Sequence, residues 1–357
     1  MRVLITGGAG FVGSTLALQL RQDDPSLEVV ALDNLRRRGA ELNVPRLERN
    51  GVGFVYGDIR QPQDLEDVEG NFDVLIEASA EPSVHAGLHG SPLYVLQTNL
   101  QGAIHCMEFA RRRSAGVIFL STSRVYSIPA LCALELAETT TGFRIPDGAR
   151  GEGWSDQGIA ECFPTTAPRS FYGASKLGAE QVLEEYAAAY DVPAVINRCG
   201  VIVGPGQFGR VDQGVFSLWV AHHHFGQPLR YTGFDGRGSQ VRDLLHPLDL
   251  CALVQKQIEC LSELRGELFN VGGGLDVSTS LAEWTRVCRE VSGRDVPLEA
   301  DARTSTVDIP LYVSDNGKIT DRFGWRPTRS LQQIAAETLA WIRDRETELR
   351  PIFVGER

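Results

Sequence analysis

Hydrophobic and polar residues divide the first 200 positions into short apolar runs that alternate with longer segments of helical periodicity. The apolar runs have the length of buried parallel strands and lie at residues 3–5, 29–32, 53–56, 72–76 and 116–121. Helical spacing of apolar residues extends over residues 11–20, 92–113 and 171–190. This alternation predicts an α/β fold with a doubly wound parallel sheet, whose ligands bind at the carboxyl ends of the strands.

A glycine-rich turn follows the first predicted strand. Gly7, Gly10 and Gly13 are spaced so that the backbone can turn tightly and approach a ligand at the start of the next helix. Such a turn presents N–H groups and a helix N-terminus to a pyrophosphate. The second apolar run ends at Asp33, twenty residues after Gly13, where an acidic side chain can bind an adenosine ribose. Together these features predict a Rossmann-type dinucleotide-binding domain.

The pattern changes after residue 206, where helical segments are separated by short strands such as residues 267–271. The helical segments lie at residues 208–226, 246–261, 279–292 and 331–345. We expect residues 1–200 to form the dinucleotide-binding domain and residues 201–357 to form mainly a smaller C-terminal α/β substrate-binding domain, with some chain crossing back. Residues 127–168 interrupt the first domain with a long insertion, and its position between two candidate catalytic segments predicts a lid.

Composition and charge restrict the partners. The 357 residues are 43% hydrophobic and 23% charged, as in a globular protein. A formal charge of −11 argues against nucleic acid, which requires a basic face. No apolar stretch is long enough to span a bilayer, so we expect no membrane insertion. Seven dispersed cysteines without a C-x-x-C pair favour reduced thiols and a cytoplasmic location.

Tyr172 and Lys176 stand four residues apart at the start of a predicted helix and therefore share one helix face. A phenol titrates near about 10 and is a poor base at neutral pH unless a nearby ammonium stabilises the phenolate. Lys176 can supply that charge, so that Tyr172 can remove the proton of a sugar hydroxyl. Thr122 follows the strand at 116–121, and its hydroxyl can bind the same reacting oxygen or simply cap the strand end.

The combination of motifs is similar to the extended short-chain dehydrogenases/reductases, over nearly the whole chain. The matching segments are residues 7–13 (GGAGFVG), Asp33, residues 121–126 (STSRVY) and the Tyr172-x-x-x-Lys176 pair. Within that class the chain resembles the nucleotide-sugar epimerases, and among them the CDP-paratose 2-epimerases, also called CDP-tyvelose epimerases. This narrower match is carried by residues 33–39, 212–214 and 238–246.

The resemblance implies NAD as the cofactor and a nucleotide sugar as the substrate. It makes Thr122, Tyr172 and Lys176 the catalytic residues, with Tyr172 as base and then acid. The expected cofactor contacts are Gly7, Gly10, Phe11, Val12, Gly13, Asp33, Asn34, Asp58, Ile59, Ala78, Ser79, Ala80, Asn99, Tyr172 and Lys176. The expected substrate contacts are Ser123, Asn197, Arg210, Asp212, Gln213 and Arg242, of which Arg242 would bind the pyrophosphate.

Several of these assignments have structural alternatives. Asp58 could cap a turn instead of facing the adenine, and Asn197 could be a buried, hydrogen-bonded residue. The small residues 78–80 could serve helix packing. Arg242 could lie at the surface, paired with Asp243. The run His222-His223-His224 is not expected to bind metal, because consecutive helical residues point in different directions.

Two residues that differ from those of related families, Ser123 and Arg124, favour epimerisation. Nucleotide-sugar 4,6-dehydratases have an acidic pair at these positions, directly after the catalytic Thr, and decarboxylases keep the Glu. These departures predict oxidation at one sugar carbon and return of hydride to the opposite face. The resemblance to the CDP-paratose 2-epimerases implies that this carbon is C2 of a CDP-linked deoxyhexose. A 4-epimerase, an NAD(P)H-dependent ketoreductase and a non-catalytic scaffold are the alternatives. The resemblance also implies self-association through the helices at 92–113 and 171–190.

Overall fold

A computed structural model describes residues 1–211 and 213–354 of the chain. Its strands are, in chain order, β1 Arg2–Thr6, β2 Glu28–Asp33, β3 Gly53–Tyr56, β4 Val74–Glu77, β5 Gly116–Thr122, β6 Ala137–Glu138, β7 Phe143–Arg144, β8 Arg150–Gly151, β9 Trp154–Ser155, β10 Gly158–Ile159, β11 Ala194–Cys199, β12 Val201–Ile202, β13 Leu229–Thr232, β14 Val241–Leu245, β15 Arg265–Val271, β16 Ser278–Ser280, β17 Leu298–Asp301 and β18 Leu311–Tyr312. Its α-helices are α1 Phe11–Asp23, α2 Val44–Arg49, α3 Pro62–Glu66, α4 Leu93–Leu96, α5 Ala103–Arg112, α6 Ile128–Cys132, α7 Phe171–Tyr190, α8 Val215–Phe225, α9 Pro247–Glu259, α10 Leu281–Ser292, α11 Gly317–Phe323, α12 Leu331–Asp344 and α13 Glu346–Phe353.

A seven-stranded parallel sheet organises the first part of the chain. Its strand order is β15-β11-β5-β4-β1-β2-β3, so the chain winds outward from β1 in both directions. Apolar side chains cover both faces, with α1 and α9 packed on one side and α5 and α7 on the other. Buried β-branched and aliphatic residues on both faces explain why these strands are continuous apolar runs. The predicted doubly wound Rossmann-type fold is confirmed.

The smaller C-terminal region packs three helices, α8, α10 and α12, around a second core. Trp219, Trp284 and Leu339 lie in this core and are almost fully buried. A small sheet of β12, β14, β16 and β18 joins the region to the carboxyl edge of the main sheet. The chain then returns to the first domain, because β15 is a strand of the main sheet and Trp325 packs into the core beneath α9.

Residues 127–168 contain more regular structure than the long loop that the sequence predicts. The segment holds α6 and the short antiparallel pairs β6–β7 and β8–β9–β10. Phe163 and Ile159 join a small core with Tyr126 and Tyr312. Backbone hydrogen bonds tie Ile159 to Val313 and Phe143 to Ser239. The insertion thus packs against the C-terminal region, and its function as a lid stays a prediction.

Two predicted helices differ in detail from the observed ones. The helix predicted for residues 208–226 begins only at Val215, because Gly214 has a left-handed backbone (φ +81°) and a Cβ on Gly209 would lie 2.4 Å from the Gly214 oxygen. The helix predicted for 92–113 contains a π-helical segment, Gln97–Gly102. Across residues 1–211 and 213–354, no helix is both long and apolar enough to cross a bilayer.

Candidate active site

The glycine turn between β1 and α1 is built by close backbone contacts. Gly7 has a positive φ of +64°, which an L side chain rarely adopts. A Cβ on Gly13 would lie 2.2 Å from the Gly7 oxygen, so helix α1 can approach the turn only with glycine there. Gly10 is the N-cap of α1, a 13-residue helix with no acidic residue in its first turn. The helix N-terminus therefore offers N–H groups and a partial positive charge to an anion.

Asp33 ends strand β2 beside this turn. The N–H of Ala9 donates to its Oδ2 at 3.1 Å, and the N–H of Leu35 donates to its Oδ1 at 2.8 Å. Burial raises the pKa of the Asp33 carboxyl, against the effect of these hydrogen bonds. The side chain is thus fixed in orientation at the end of β2, where a ribose would bind in a dinucleotide site.

Asn34 and Asp58 form the next part of the same wall. The Asn34 amide donates to Asp58 Oδ2 at 2.9 Å, and the Arg60 guanidinium pairs with the same carboxylate. Burial raises the pKa of Asp58, but the hydrogen bonds from Arg60 and Asn34 outweigh it and lower the pKa to about 2. Asp58 therefore combines the two alternatives, since it closes a turn onto Arg60 and also lines the cavity.

These residues enclose an elongated cavity of about 480 Å³. The predicted cofactor residues in its wall are Gly7, Gly10, Phe11, Val12, Gly13, Asp33, Asn34, Asp58, Ile59, Ala78, Ser79 and Ala80. Asn99 is different, because its amide oxygen accepts from the Glu81 N–H (2.8 Å) and its amide nitrogen donates to the Glu81 oxygen (3.0 Å). Asn99 thereby shapes the loop after β4 from behind. The glycine cradle, the helix N-terminus and the Asp33 carboxylate suit a dinucleotide.

Thr122 lies at the carboxyl end of β5, where the strand turns into a short 3-10 helix. Its Oγ1 accepts a hydrogen bond from the Arg124 N–H at 3.2 Å. A Cβ on Gly173 would lie only 2.1 Å from the Arg124 oxygen, so the start of α7 is pressed against this turn. This close approach brings Tyr172 near Thr122, whose side chain acts to lower the pKa of the Tyr172 phenol.

Tyr172 is held at the first turn of α7, whose N-cap Ser170 accepts from the Gly173 N–H at 3.1 Å. Burial raises the pKa of the Tyr172 phenol to about 12, although Thr122 acts in the opposite direction. In the protein without ligands the phenol is therefore protonated at neutral pH. Its function as a base requires additional positive charge near the oxygen.

Lys176 lies one turn further along α7, with its side chain almost fully buried. Its Nζ is 3.2 Å from Oε2 of Glu77, the last residue of β4, and 4.1 Å from the centre of the Phe119 ring. The carboxyl end of β4 thus supplies the direct counterion of the predicted catalytic lysine. Sequence reasoning missed Glu77, although a charged residue directly after a buried apolar run was a visible signal.

A second cavity, of about 560 Å³, adjoins the first and extends toward the C-terminal region. Thr122, Tyr172 and Lys176 lie in its wall, as do Ala78, Ser79 and Ala80, which also line the dinucleotide cavity. The predicted catalytic residues therefore line the second cavity, and residues 78–80 lie in the wall that the two cavities share. Ser123 lines the second cavity as expected for a substrate contact.

Arg242 lines the second cavity, but it is buried and paired with Asp308 instead of Asp243. Its Nη2 donates to Asp308 Oδ1 and to the Ile309 oxygen, both at 2.8 Å, and its Nη1 donates to the Val241 oxygen at 2.8 Å. The alternative of a surface pair with Asp243 is wrong for this structure. Arg242 is thus held rigidly by protein partners at the cavity wall.

Other predicted substrate residues have mixed outcomes. Gln213 lines both cavities and accepts from Arg37, whereas Arg210 lines the dinucleotide cavity. Asp212 lies outside the described residues. Asn197 is fully buried in β11, where it exchanges two 2.8 Å hydrogen bonds with the side-chain amide of Gln257. The structure therefore corrects the assignment of Asn197, whose amide is used by a structural partner.

Arg124 and Arg230 are lining residues that sequence reasoning did not assign to the substrate. Burial and the neighbouring Arg242 lower the pKa of Arg124 to about 10, and its Nη1 donates to the Val307 oxygen at 3.3 Å. Arg230 reaches the cavity from β13. Three arginines thus lie in the wall of a cavity whose described lining residues include one carboxylic acid, Asp308. Arg242 pairs with Asp308 and Arg230 pairs with Glu299, so the net positive charge of the three comes from Arg124. Such a wall suits an anionic ligand.

The three consecutive histidines point to different partners. His222 contacts the Pro228 oxygen, His223 contacts the Trp219 oxygen and His224 contacts Glu346. Among the described residues, no group of three or more His, Cys, Asp or Glu side chains is arranged to hold a metal ion.

The fold and the site define an extended short-chain dehydrogenase/reductase, with a glycine-turn dinucleotide site and a Thr-Tyr-Lys set at the adjoining cavity. The chain belongs to the NAD dependent epimerase/dehydratase family, whose model matches residues 3–272. The family's cofactor and the fit of the first cavity give NAD as the cofactor of this chain.

Similar proteins within this family act on nucleotide sugars and catalyse different reactions. The chain is 28% identical to a CDP-paratose 2-epimerase of Salmonella typhi, over 96% of this chain and 99% of the relative. It is 27% identical to a dTDP-glucose 4,6-dehydratase of Streptomyces niveus, over 99% and 96% of the two chains. A solved UDP-glucose 4-epimerase of Thermus thermophilus in complex with NAD is 27% identical, with a TM-score of 0.75, over 96% and 99% of the two chains.

Proposed function

We propose that this protein is an NAD-dependent nucleotide-sugar epimerase that acts at C2 of a CDP-linked deoxyhexose of the CDP-paratose type. Identity to relatives does not separate epimerase from dehydratase, because both classes match at 27–28%. The observation that carries the proposal is the acid content of the substrate cavity. Asp308 is the one carboxylic acid among its described lining residues, and it is engaged by Arg242 (2.8 Å) and by the Ile309 N–H (2.8 Å).

Elimination of water requires a group that protonates the leaving hydroxyl. Ser123 and Arg124 occupy the positions where dehydratases have their acidic pair, and neither can act as that acid at neutral pH. An epimerase needs only one acid–base residue, since the proton that leaves the sugar hydroxyl returns to the same oxygen. We assign this acid–base function to Tyr172, and Thr122 lies in the same cavity wall.

Bound NAD supplies the acceptor and then the donor of the hydride at the sugar carbon. Tyr172 takes the hydroxyl proton and returns it after the keto sugar has turned its other face. Lys176 stabilises the phenolate, and Thr122 donates a hydrogen bond to the carbonyl oxygen of the keto sugar. We assign binding of the nucleotide-sugar diphosphate to the arginines of this wall, Arg124, Arg230 and Arg242.

CDP and C2 are the most specific part of the proposal. They are supported by the similarity to the Salmonella typhi enzyme over nearly the full length of both chains. The matching segments at residues 33–39 and 238–246 lie near the cofactor and substrate cavities respectively. A UDP-glucose 4-epimerase of Bacillus subtilis is also 28% identical, over 96% of each chain, so epimerisation at C4 is the second candidate.

The test is incubation of the purified protein with CDP-, UDP-, GDP- and dTDP-sugars in deuterated water without added cofactor, followed by proton NMR. We expect a C2 epimer of CDP-paratose without incorporated deuterium. A 4-keto-6-deoxy sugar would instead identify a dehydratase, and conversion only after addition of reduced nicotinamide would identify a ketoreductase. Retention of all sugars unchanged under every condition would favour a non-catalytic scaffold.

Tyr172→Phe provides the matching variant. We expect loss of turnover by at least a factor of 1000, in the upper part of the range of about 10²–10⁴ for general acid–base groups, with NAD binding retained. Tyr190→Phe is the control, because Tyr190 ends the same helix and is 58% exposed. Full activity of Tyr172→Phe would contradict the catalytic assignment.

We also propose that the protein self-associates through α5 and α7. These helices pack against each other, and Leu93, Phe171 and Tyr190 are exposed at or near them. Light scattering coupled to size-exclusion chromatography would give the mass in solution, and a monomer at micromolar concentration would contradict this. Cytoplasmic location stays a prediction.

A further inference from the structure

Glu77 and Lys176 form an ion pair that is almost completely shielded from solvent. The two side chains are each 2% exposed, and Lys176 Nζ lies 3.2 Å from Glu77 Oε2. The other carboxylate oxygen, Oε1, accepts from the Ser79 N–H at 3.0 Å. The pair joins residues 99 positions apart and links the end of β4 to the helix that carries Tyr172.

The groups around this pair come from every neighbouring element. Thr6 of β1 and Cys106 of α5 lie on the Glu77 side, and the Phe119 ring of β5 lies 4.1 Å from Lys176 Nζ. Burial raises the pKa of the Cys106 thiol well above its usual range, so the thiol is neutral. Among the described residues near Glu77, Lys176 is therefore the charge that compensates the carboxylate.

The charge of Glu77 extends to Tyr172. Burial, the Cys199 thiol and Glu77 all raise the pKa of the Tyr172 phenol, whereas Thr122 and Arg124 lower it. An ammonium that is neutralised by a buried carboxylate attracts a phenolate much less than an unpaired ammonium does. Burial is the largest cause that raises the pKa of the Tyr172 phenol to about 12, and Glu77 acts in the same direction.

The loop after Glu77 connects this pair to the dinucleotide site. Ala78, Ser79 and Ala80 line both cavities, and Ser79 holds Glu77 through its backbone N–H. A dinucleotide in the first cavity contacts the segment that positions Glu77. Binding of a dinucleotide and the geometry of the Glu77–Lys176 pair are thus linked through the backbone of residues 77–79.

We propose that Glu77 is a positioning residue that holds the Lys176 ammonium in the cofactor-free protein, so that Tyr172 becomes a base only when the dinucleotide site is filled. This rests on the proposed function, in which Tyr172 is the base and Lys176 its charge partner. The carboxylate prevents an active phenolate from forming in a protein that has no hydride acceptor.

The test measures the ionisation of Tyr172 directly, without turnover. Protein labelled with ¹³C at tyrosine Cζ gives one resonance per tyrosine, and the Tyr172 resonance is the one that Tyr172→Phe removes. Glu77→Gln keeps the shape and removes the charge. We expect the midpoint of Tyr172 in the cofactor-free protein to fall by about one pH unit, which is the effect of one charge about 12 Å away at an effective dielectric constant near 20. At pH 10.5 the ionised fraction would rise from a few per cent to about a quarter.

Two controls separate charge from structure. Glu180→Gln removes another buried carboxylate from α7, one turn beyond Lys176, where it pairs with Arg198 at 2.7 Å; it should leave the Tyr172 midpoint unchanged. Glu77→Asp restores the charge and should return the midpoint to the wild-type value. A Glu77→Gln protein that folds and titrates like the wild type would overturn the proposal.

A second measurement covers the case in which Glu77→Gln does not fold. The wild-type protein, titrated with and without saturating NAD, should show a lower Tyr172 midpoint when NAD is present. An unchanged midpoint would overturn the proposal. Because neither measurement uses a sugar substrate, absence of epimerase activity would reject the proposed function and leave the result for Glu77 intact.

Discussion

Substitution of two neighbouring glycines by alanine should separate cofactor binding from folding. Gly13 lies inside the first turns of α1, and a Cβ there would be 2.2 Å from the Gly7 oxygen, 2.8 Å from the Gly7 carbon and 2.9 Å from Gly8 Cα. All three atoms belong to the backbone, so the clash can be removed only if the helix and the turn move apart by about 1 Å. Gly10 differs, because the nearest atom to its Cβ is the Gly7 oxygen at 3.1 Å.

The magnitudes follow from these contacts. Overpacking of this kind lowers the free energy of unfolding by about 1–3 kcal/mol. The higher helix propensity of alanine raises it by up to about 1 kcal/mol. Gly13→Ala should therefore lower the free energy of unfolding by about 1–2 kcal/mol. Gly10→Ala should change it by less than about 0.5 kcal/mol, because a weaker N-cap is offset by lower entropy of the unfolded chain. Both variants should bind NAD at least tenfold more weakly, about 1.4 kcal/mol.

Urea unfolding of the cofactor-free protein gives the stability, and isothermal titration calorimetry gives the NAD affinity. Gly90→Ala is the matched control, since no atom lies within 4 Å of its Cβ, and it should alter neither quantity. Wild-type NAD affinity in Gly10→Ala would refute the assignment of this turn as the pyrophosphate contact. Wild-type stability in Gly13→Ala would refute the steric argument.

Three further changes test other parts of the structure. Burial and Arg329 lower the pKa of His246 from 6.5 to about 4. The unfolded chain therefore binds the proton more strongly than the folded protein does. As the pH falls from about 6.5 to about 4, the free energy of unfolding should decrease by up to about 3 kcal/mol. His246→Asn, which keeps a capping acceptor, should remove this dependence in urea titrations; an unchanged dependence would contradict it. Asp33→Asn should raise the NADP-to-NAD affinity ratio at least tenfold by calorimetry, because Arg36 lines the same cavity, and a constant ratio would speak against Asp33 as the ribose contact. Trp284→Ala should cost about 3–5 kcal/mol in unfolding experiments, since the side chain is fully buried, yet leave NAD affinity of the folded protein unchanged.

Local sequence patterns predicted the parts of the site that depend on local geometry. Tyr172 and Lys176 share a helix face because four residues make about one turn, and Gly7 and Gly13 are close because the turn between them is short. The buried strands are visible as apolar runs because both faces of the sheet are covered. Such features require no knowledge of how distant segments pack.

Side-chain partners from distant segments could not be predicted in this way. Asn197 binds Gln257, 60 residues away, and Arg242 binds Asp308, 66 residues away. Both side chains carry polar groups that need partners once buried, but the sequence does not say which segment supplies them. The short strands of the insertion at 127–168 could not be predicted for the same reason. They are two residues long and depend on contacts with β18 and the residues next to it.

The second cavity contains both the predicted acid–base residues and the residues that we propose select the reaction. In the proposed mechanism Thr122, Tyr172 and Lys176 move a proton beside the dinucleotide, a step that an epimerase and a dehydratase would both need. The outcome then depends on whether another acid reaches the sugar. Here Asp308 is bound by Arg242, and Arg124 follows Ser123 after the predicted catalytic turn. Neither Ser123 nor Arg124 is a carboxylic acid that could protonate a leaving hydroxyl, so we expect reversible oxidation at one carbon and no elimination.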